Sequence, residues 1–271
     1  MARTSRLLAS VAALAIVASA CGGSSSSDTT AAASAKQAAF TPVQAGKLTV
    51  CSDAPYEPFE YQAADGSWTG FDMDVMSAIA KAQGLELNVS VQGFDGILLK
   101  LAAKECDVVA SSVTITPERA QSVDFSNGYF DSYQSLLVRN ADKDTLNSLA
   151  SLNGKTIAVQ TGTTGETFAK ANAKGAKIQS YDDASAMFLA LESNEVDGVL
   201  QDLPINASRA VKQGTSTVSV TFSEGQEAEQ YGFAVEKGNA VLLKVLNDTL
   251  ASMKTDGTYD AIYAKYFGAS K

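Results

Sequence analysis

Residues 111–119 read SSVTITPER, and the fold is decided by what surrounds this stretch. A short apolar run, residues 107–110, precedes it and has the character of a buried strand. Two serines and two threonines crowd the strand's exit, Pro117 stops the extended chain, and Glu118 and Arg119 follow. An arginine carries a planar charge that can direct two hydrogen bonds onto one carboxylate. Hydroxyls and an arginine at the carboxyl end of a strand in an α/β sheet mark the place where a ligand crevice opens. Taken alone, the stretch is read more readily as a polar loop with its arginine in a surface ion pair, and the rest of the chain changes that.

Upstream, residues 47–51 (KLTVC) predict a strand and SDAPYEPFE (52–60) a loop with two prolines. Val75, Met76, Ile79 and Ala82 form a helical stripe that Gly84 ends. Residues 85–91 alternate as a second strand, and Ile97, Leu98, Leu101 and Ala102 mark a second helix before strand 107–110. The order β-α-β-α-β predicts a parallel sheet with helices on its faces.

Downstream, an extended aromatic run to Val138 leads into a second β-α series: strand 156–160, a turn at 162–165, helix 166–173, strand 177–181, helix 184–191 and strand 196–201. A second extended run, 231–235, precedes an amphipathic helix bearing Leu242, Leu246, Leu250 and Met253, then an aromatic tail with Tyr259, Tyr263, Tyr266 and Phe267. Two α/β lobes are expected, linked only by the extended segments near 129–138 and 226–235, with the tail returning to the first lobe. Two crossings between lobes make a hinge. The expected division is 46–130 for the first part of lobe 1, 131–230 for lobe 2 with hinge segments at both ends, and 231–271 for the rest of lobe 1.

The chain of 271 residues is 45% hydrophobic and 19% charged, the balance of a globular protein with a substantial core. A net charge of −9 argues against nucleic acid as a partner. The absence of histidine removes Ser-His-Asp and Cys-His catalysis and the commonest metal ligand. Cys21, Cys51 and Cys106 match no zinc spacing, and neither a metal nor a cofactor is expected. Cys51 ends one expected parallel strand and Cys106 begins its neighbour, so the two are expected far apart, as buried free thiols.

At the amino end, Arg3 and Arg6 precede an apolar run, 7–17, too short for a permanent span, then Ala18-Ser19-Ala20-Cys21. Residues 1–20 resemble a bacterial lipoprotein signal peptide with Cys21 as the lipidated residue, apart from Ala18 where that signal usually has leucine. The alternative is an ordinary secretory signal cleaved after Ala20. Residues 21–45, beginning CGGSSSSDTT, are expected to be a flexible tether.

Nearly the whole chain after the tether resembles the extracellular solute-binding proteins of the polar amino-acid class, family 3. The matching stretches come in the family's order: SDAPYEPFEY (52–61), GFDMDV (70–75), FDGIL (94–98), SSVTITPERA (111–120), VDFSNGYF (123–130), LNGKTIAVQTGTTGETFAK (152–170), VDGVLQDLP (196–204), YGFAVEKGN (231–239) and DGTYDAIYAKYFG (256–268). The resemblance implies a type II periplasmic-binding-protein fold, and a monomer that captures a free amino acid outside the cytoplasm and hands it to ABC permease subunits. The lipid at Cys21 would be its only membrane contact. Carried over by residue, it implies that Arg119 grips the α-carboxylate and Asp202 the α-ammonium, with Ser112 and Thr114 contacting both and Thr164 adding a donor to the carboxylate. Tyr56 and Phe94 would wall the side-chain pocket, and Asp53 and Gln160 would read the side chain. Asp53 and Asp202 make a second acidic group unwelcome, so an amide or basic side chain is expected. The residues also permit plainer roles: Asp202 as the cap of a helix from Leu203 onward, Tyr56 and Phe94 as core aromatics, and Asp72 and Asp74 as structural acids. The alternatives to transport are an enzyme on the same scaffold, as in cyclohexadienyl dehydratase, with Glu57 and Glu60 the nearest acids, or a sensor acting through a membrane partner. No catalytic residue is expected.

Overall fold

The computed structural model describes residues 40–213, 217–221 (backbone only) and 227–268. The expected signal segment, Cys21 and the expected tether as far as residue 39 lie outside the described residues. From Phe40 the chain is already on the fold: Phe40 packs against the core, and the Val43 N–H donates to Asp107 Oδ1 at 2.8 Å.

The elements of the first lobe are β1 (Lys47–Ser52), β2 (Tyr61–Gln62), β3 (Trp68–Thr69), α1 (Phe71–Ala82), β4 (Glu86–Val91), α2 (Leu99–Ala102), β5 (Val108–Val109) and β6 (Val123–Phe125). Strand β7 (Phe130–Ser132) leads out of it into β8 (Gln134–Arg139). The second lobe continues with β9 (Thr156–Gln160), α3 (Thr164–Asn172), β10 (Lys177–Tyr181), α4 (Ala184–Glu192), β11 (Gly198–Asp202), α5 (Leu203–Lys212) and β12 (Thr217–Thr221). The return runs through β13 (Glu229–Tyr231) to β14 (Ala234–Glu236), α6 (Ala240–Asp256) and α7 (Thr258–Phe267).

Each lobe holds a five-stranded sheet, in the orders β4-β1-β5-β14-β6 and β10-β9-β11-β8-β12. The expected parallel sheets are therefore mixed. β1 is parallel to β4 and β5, and β9 to β10 and β11, as βα crossovers require. β14 and β8 run antiparallel to their neighbours. Each enters its sheet straight from a linking strand, with no helix to turn it round. The linking strands pair with each other, Phe130 with Tyr231 and Ser132 with Glu229, as a two-stranded ribbon between the lobes.

Apolar residues cover both faces of each sheet. In the first lobe α1, α6 and the tail pack on one face: Phe59, Phe71, Phe233 and Tyr231 are fully buried, and Tyr259, Tyr263 and Phe267 close over them. Phe71 meets Tyr259 edge-on at 5.5 Å between ring centres, an arrangement aromatic pairs favour. The other face carries Ile97, Leu101, Val109 and the two cysteines.

The expectation of free thiols is wrong. Cys51 and Cys106 form a disulfide with their Cα atoms 5.7 Å apart. β5 begins at Val108, so Cys106 is not a strand residue. The chain leaves α2 through a turn with Lys104 in the left-handed region (φ 57°), and Cys106 comes to lie among Ile97, Leu101 and Cys51 on one face of the sheet. Strand register limits a pairing only where both residues belong to the strands.

Candidate functional site

β1, β5, β9 and β11 all end at the cleft between the lobes, and the side chains just beyond those ends converge there. One cavity is lined by Asp53, Tyr56, Phe94, Ser112, Thr114, Arg119, Gln160, Thr164 and Asp202, together with Ser111, Thr163, Gly165 and Gln201. All nine residues singled out from the sequence thus face a single space.

Arg119 follows the β5 loop. Its guanidinium donates to the Thr114 carbonyl at 2.8 Å and, across the cleft, to the Gly162 carbonyl at 3.1 Å. It lies 5.3 Å from the centre of the Phe94 ring, which orients it further. Burial pulls its pKa down while Asp202 and Glu229 hold it up; a guanidinium keeps its proton through such a shift.

Asp202 ends β11 and is 7% exposed. It occupies the N-cap position of α5, yet its side chain makes no capping hydrogen bond. Instead it turns inward, accepting from Gln134 Nε2 at 2.6 Å and from the Tyr231 hydroxyl. Burial raises its pKa to about 7; Glu229 adds to the rise, and Tyr231, Gln134 and Arg119 oppose it.

The serine loop rests on two acids. Ser112 adopts a left-handed backbone (φ 48°), and its N–H donates to Asp72 Oδ2 at 2.9 Å. Tyr129 donates its hydroxyl to the same oxygen at 2.8 Å. Ser111 Oγ donates to Glu60 Oε1 at 3.0 Å and accepts the Asp53 N–H at 2.9 Å. Glu60 and Asp72 are fully buried. Burial raises both pKa values, that of Asp72 to about 7, and the nearby Asp72 carboxyl raises Glu60 further. Neither acid lines the cavity. Their work is to fix the loop, as expected for Asp72; Asp74 instead pairs with Lys265 at 2.7 Å.

On the second lobe, α3 starts at Thr164 with Thr163 as its cap, its Oγ1 accepting the Glu166 N–H at 3.1 Å. Thr163, Thr164 and Gly165 at this helix start line the cavity, and a helix start attracts anions. Gln160 reaches over the cleft to Asp53 Oδ2 at 2.6 Å. Burial lifts Asp53 to about 6 against the pull of that bond. Tyr56 and Phe94 each pack against a core cluster and line the cavity, so the core and wall roles coincide.

Sequence reading missed Gln134, Tyr231 and Glu229. Gln134 is a buried amide at the head of an apolar strand, 68 residues from the Asp202 it supports. Tyr231 opens a stretch quoted for its family likeness without a role of its own. A buried polar residue at the start of a hydrophobic run was the available signal.

Two α/β lobes of the same strand order, joined by a paired ribbon and facing each other across a charged cleft, define a type II periplasmic binding protein. The chain belongs to the bacterial extracellular solute-binding proteins, family 3, which it matches over residues 48–269. It is 35% identical over 226 residues to the L-cystine-binding protein TcyJ of Escherichia coli (strain K12), covering 83% of this chain and 84% of that one. Among solved structures, it resembles an ancestral arginine-binding protein bound to glutamine, with a TM-score of 0.78 and 38% identity, over 83% of this chain and 99% of that one. It also resembles an ancestral amino acid-binding protein that is a precursor of cyclohexadienyl dehydratase, with a TM-score of 0.77 and 38% identity, over 82% and 96% of the two chains. Among the described residues no helix is long and apolar enough to cross a membrane.

Proposed function

We propose that this protein captures a free amino acid outside the cytoplasm and delivers it to an ABC-type importer when its lobes close on the ligand. The observation that carries the proposal is the convergence on one cavity of Arg119 from the first lobe and Asp202 from the second, each within reach of the other's charge. A zwitterion needs one fixed cation, one fixed anion and a dry place to meet both. Arg119, Thr114 and Thr164 are the carboxylate's partners, Asp202 and Ser112 the ammonium's, and Tyr56 and Phe94 the walls. Asp53 and Gln160 meet the side chain. A ligand that bridges the lobes favours their closed arrangement by its differential affinity for it. The names of relatives support the ligand class: cystine-, histidine- and arginine-binding proteins among curated sequences, and structures with glutamine or arginine bound.

Asp53, Asp202 and Glu229 outnumber Arg119 around the cleft, which favours an amide or basic side chain over an acidic one. The acids an enzyme would need are engaged elsewhere: Glu60 lies buried under Ser111, and Glu57 pairs with Lys212. The protein acts as a monomer held by lipid on Cys21 to the outer face of the cell membrane; the Cys51–Cys106 disulfide suits that oxidising side. A thermal-shift screen of the twenty amino acids and L-cystine tests the proposal. Stabilisation by an amide or basic amino acid is expected; preference for aspartate or glutamate overturns the side-chain assignment, and silence toward all of them overturns the function.

A further inference from the structure

Thr164 Oγ1 donates to Glu229 Oε2 at 2.9 Å, and Thr114 Oγ1 donates to the same oxygen at 3.2 Å. Gln134 Nε2, already bonded to Asp202, reaches that oxygen at 3.2 Å. Thr114 belongs to the first lobe, Thr164 to the second, and Glu229 to the ribbon strand β13 that joins them. Glu229 does not line the cavity that holds Arg119 and Asp202. It lines a neighbouring, more open one, and the two cavities share Thr114 and Thr164 as their common wall. The Arg119 guanidinium is turned to the Thr114 and Gly162 carbonyls.

A hydroxyl carries one proton and donates it to one acceptor at a time. The hydroxyls assigned to the ligand's carboxylate already donate to a carboxylate of the protein, from the far side of the same wall. A ligand that claims those protons must take them from Glu229. Its carboxylate also meets the Glu229 charge across two threonines, in a partly buried place where like charges repel strongly.

We propose that Glu229 is a built-in competitor for the ligand's carboxylate, holding the Thr114 and Thr164 hydroxyls and thereby lowering the affinity of the site. The inference rests on the amino-acid function proposed above and adds a regulator of that site. When the hydroxyls turn to the ligand, Glu229 has the open cavity to swing into, where water solvates it. This competition stabilises the protein before capture and weakens capture.

Isothermal titration of the full chain tests this, using whichever of L-arginine, L-glutamine and L-cystine the wild type binds. Glu229→Ala is expected to bind about tenfold more tightly, the equivalent of ~1.4 kcal/mol and the low end of one charge-assisted hydrogen bond. Glu229→Gln keeps a carbonyl acceptor and loses the charge, so it moves in the same direction by less. Glu227→Gln removes a charge from the rim of the same neighbouring cavity and is expected to leave binding unchanged. Unchanged or weaker binding in Glu229→Ala, or an equal gain in Glu227→Gln, overturns the inference while leaving the amino-acid function standing. A wild type silent toward all twenty amino acids and L-cystine removes that function instead.

Discussion

Capture should release a proton, and its strength should follow the ionisation of Asp202. The carboxyl is buried, and its pKa stands near 7. Desolvation causes the rise, Glu229 adds to it, and the donors Tyr231 and Gln134 with the Arg119 charge restrain it. A ligand ammonium binds only the ionised form, so below that pKa binding must expel the proton. The ionised fraction is about one-tenth at pH 6, half at pH 7 and nine-tenths at pH 8, which translates into affinity about tenfold weaker at pH 6 than at pH 8. Asp53, near 6, steepens the fall below that pH for a basic ligand. For the unliganded fold the sign is opposite. A carboxyl whose folded pKa lies above its ordinary 3.8 contributes stability at low pH that is lost as pH rises through about 7. Titration calorimetry at pH 6, 7 and 8, in buffers of different ionisation enthalpy, reads both affinity and proton count. At pH 6 close to one proton should appear in the buffer for each ligand bound, and Asp202→Asn should remove that release. Affinity constant within twofold from pH 6 to 8, with heats independent of the buffer, would refute the assignment of the ammonium to Asp202.

Two further outcomes follow from the same geometry. In its proposed role Arg119 gives a ligand carboxylate two charge-assisted hydrogen bonds, each contributing about 1.5–3 kcal/mol, so Arg119→Ala should weaken binding at least about a hundredfold while circular dichroism stays unchanged; binding within about tenfold of the wild type would free Arg119 from that role. The disulfide spans a sequence separation of 55, and reduction or a Cys51→Ala/Cys106→Ala double substitution should cost roughly 4 kcal/mol on the chain-entropy estimate, lowering the urea midpoint; thiol titration of the unfolded, unreduced protein that finds Cys51 and Cys106 free would show that the bond does not form.

Local periodicity made most elements legible. The stripe at Val75, Met76 and Ile79 became α1, residues 177–181 became β10, and Leu242, Leu246 and Leu250 became the buried face of α6. The nine candidate residues were singled out in another way, through ordered motifs that resemble a family, and they line one cavity although they are scattered from Asp53 to Asp202. What stayed hidden depended on contacts that no local pattern encodes. The antiparallel entry of β8 and β14 follows from the path of the ribbon between lobes, whereas β-α alternation predicts only parallel neighbours. The disulfide was excluded by giving Cys106 a strand position that the turn at Lys104 denies it. Gln134 and Glu229 stand 95 residues apart and meet at the wall formed by Thr114 and Thr164.

The ribbon strand β13 ties recognition to movement. Tyr231 and Glu229 are two residues apart, so their side chains leave the strand on the same face. One donates to Asp202, and the other accepts from Thr114 and Thr164. Any change in the angle between the lobes must pass through this strand and its partner β7, because they carry the chain between the two sheets. Rotation there displaces the Tyr231 hydroxyl relative to Asp202 and the Glu229 carboxylate relative to both threonines. The hydrogen bonds around the proposed ammonium site and the proposed carboxylate donors therefore depend on the angle between the lobes. In the proposed function, a cleft built this way has no separate signal to send from an occupied site to a distant hinge, because Tyr231 and Glu229 belong to the strand that links the lobes.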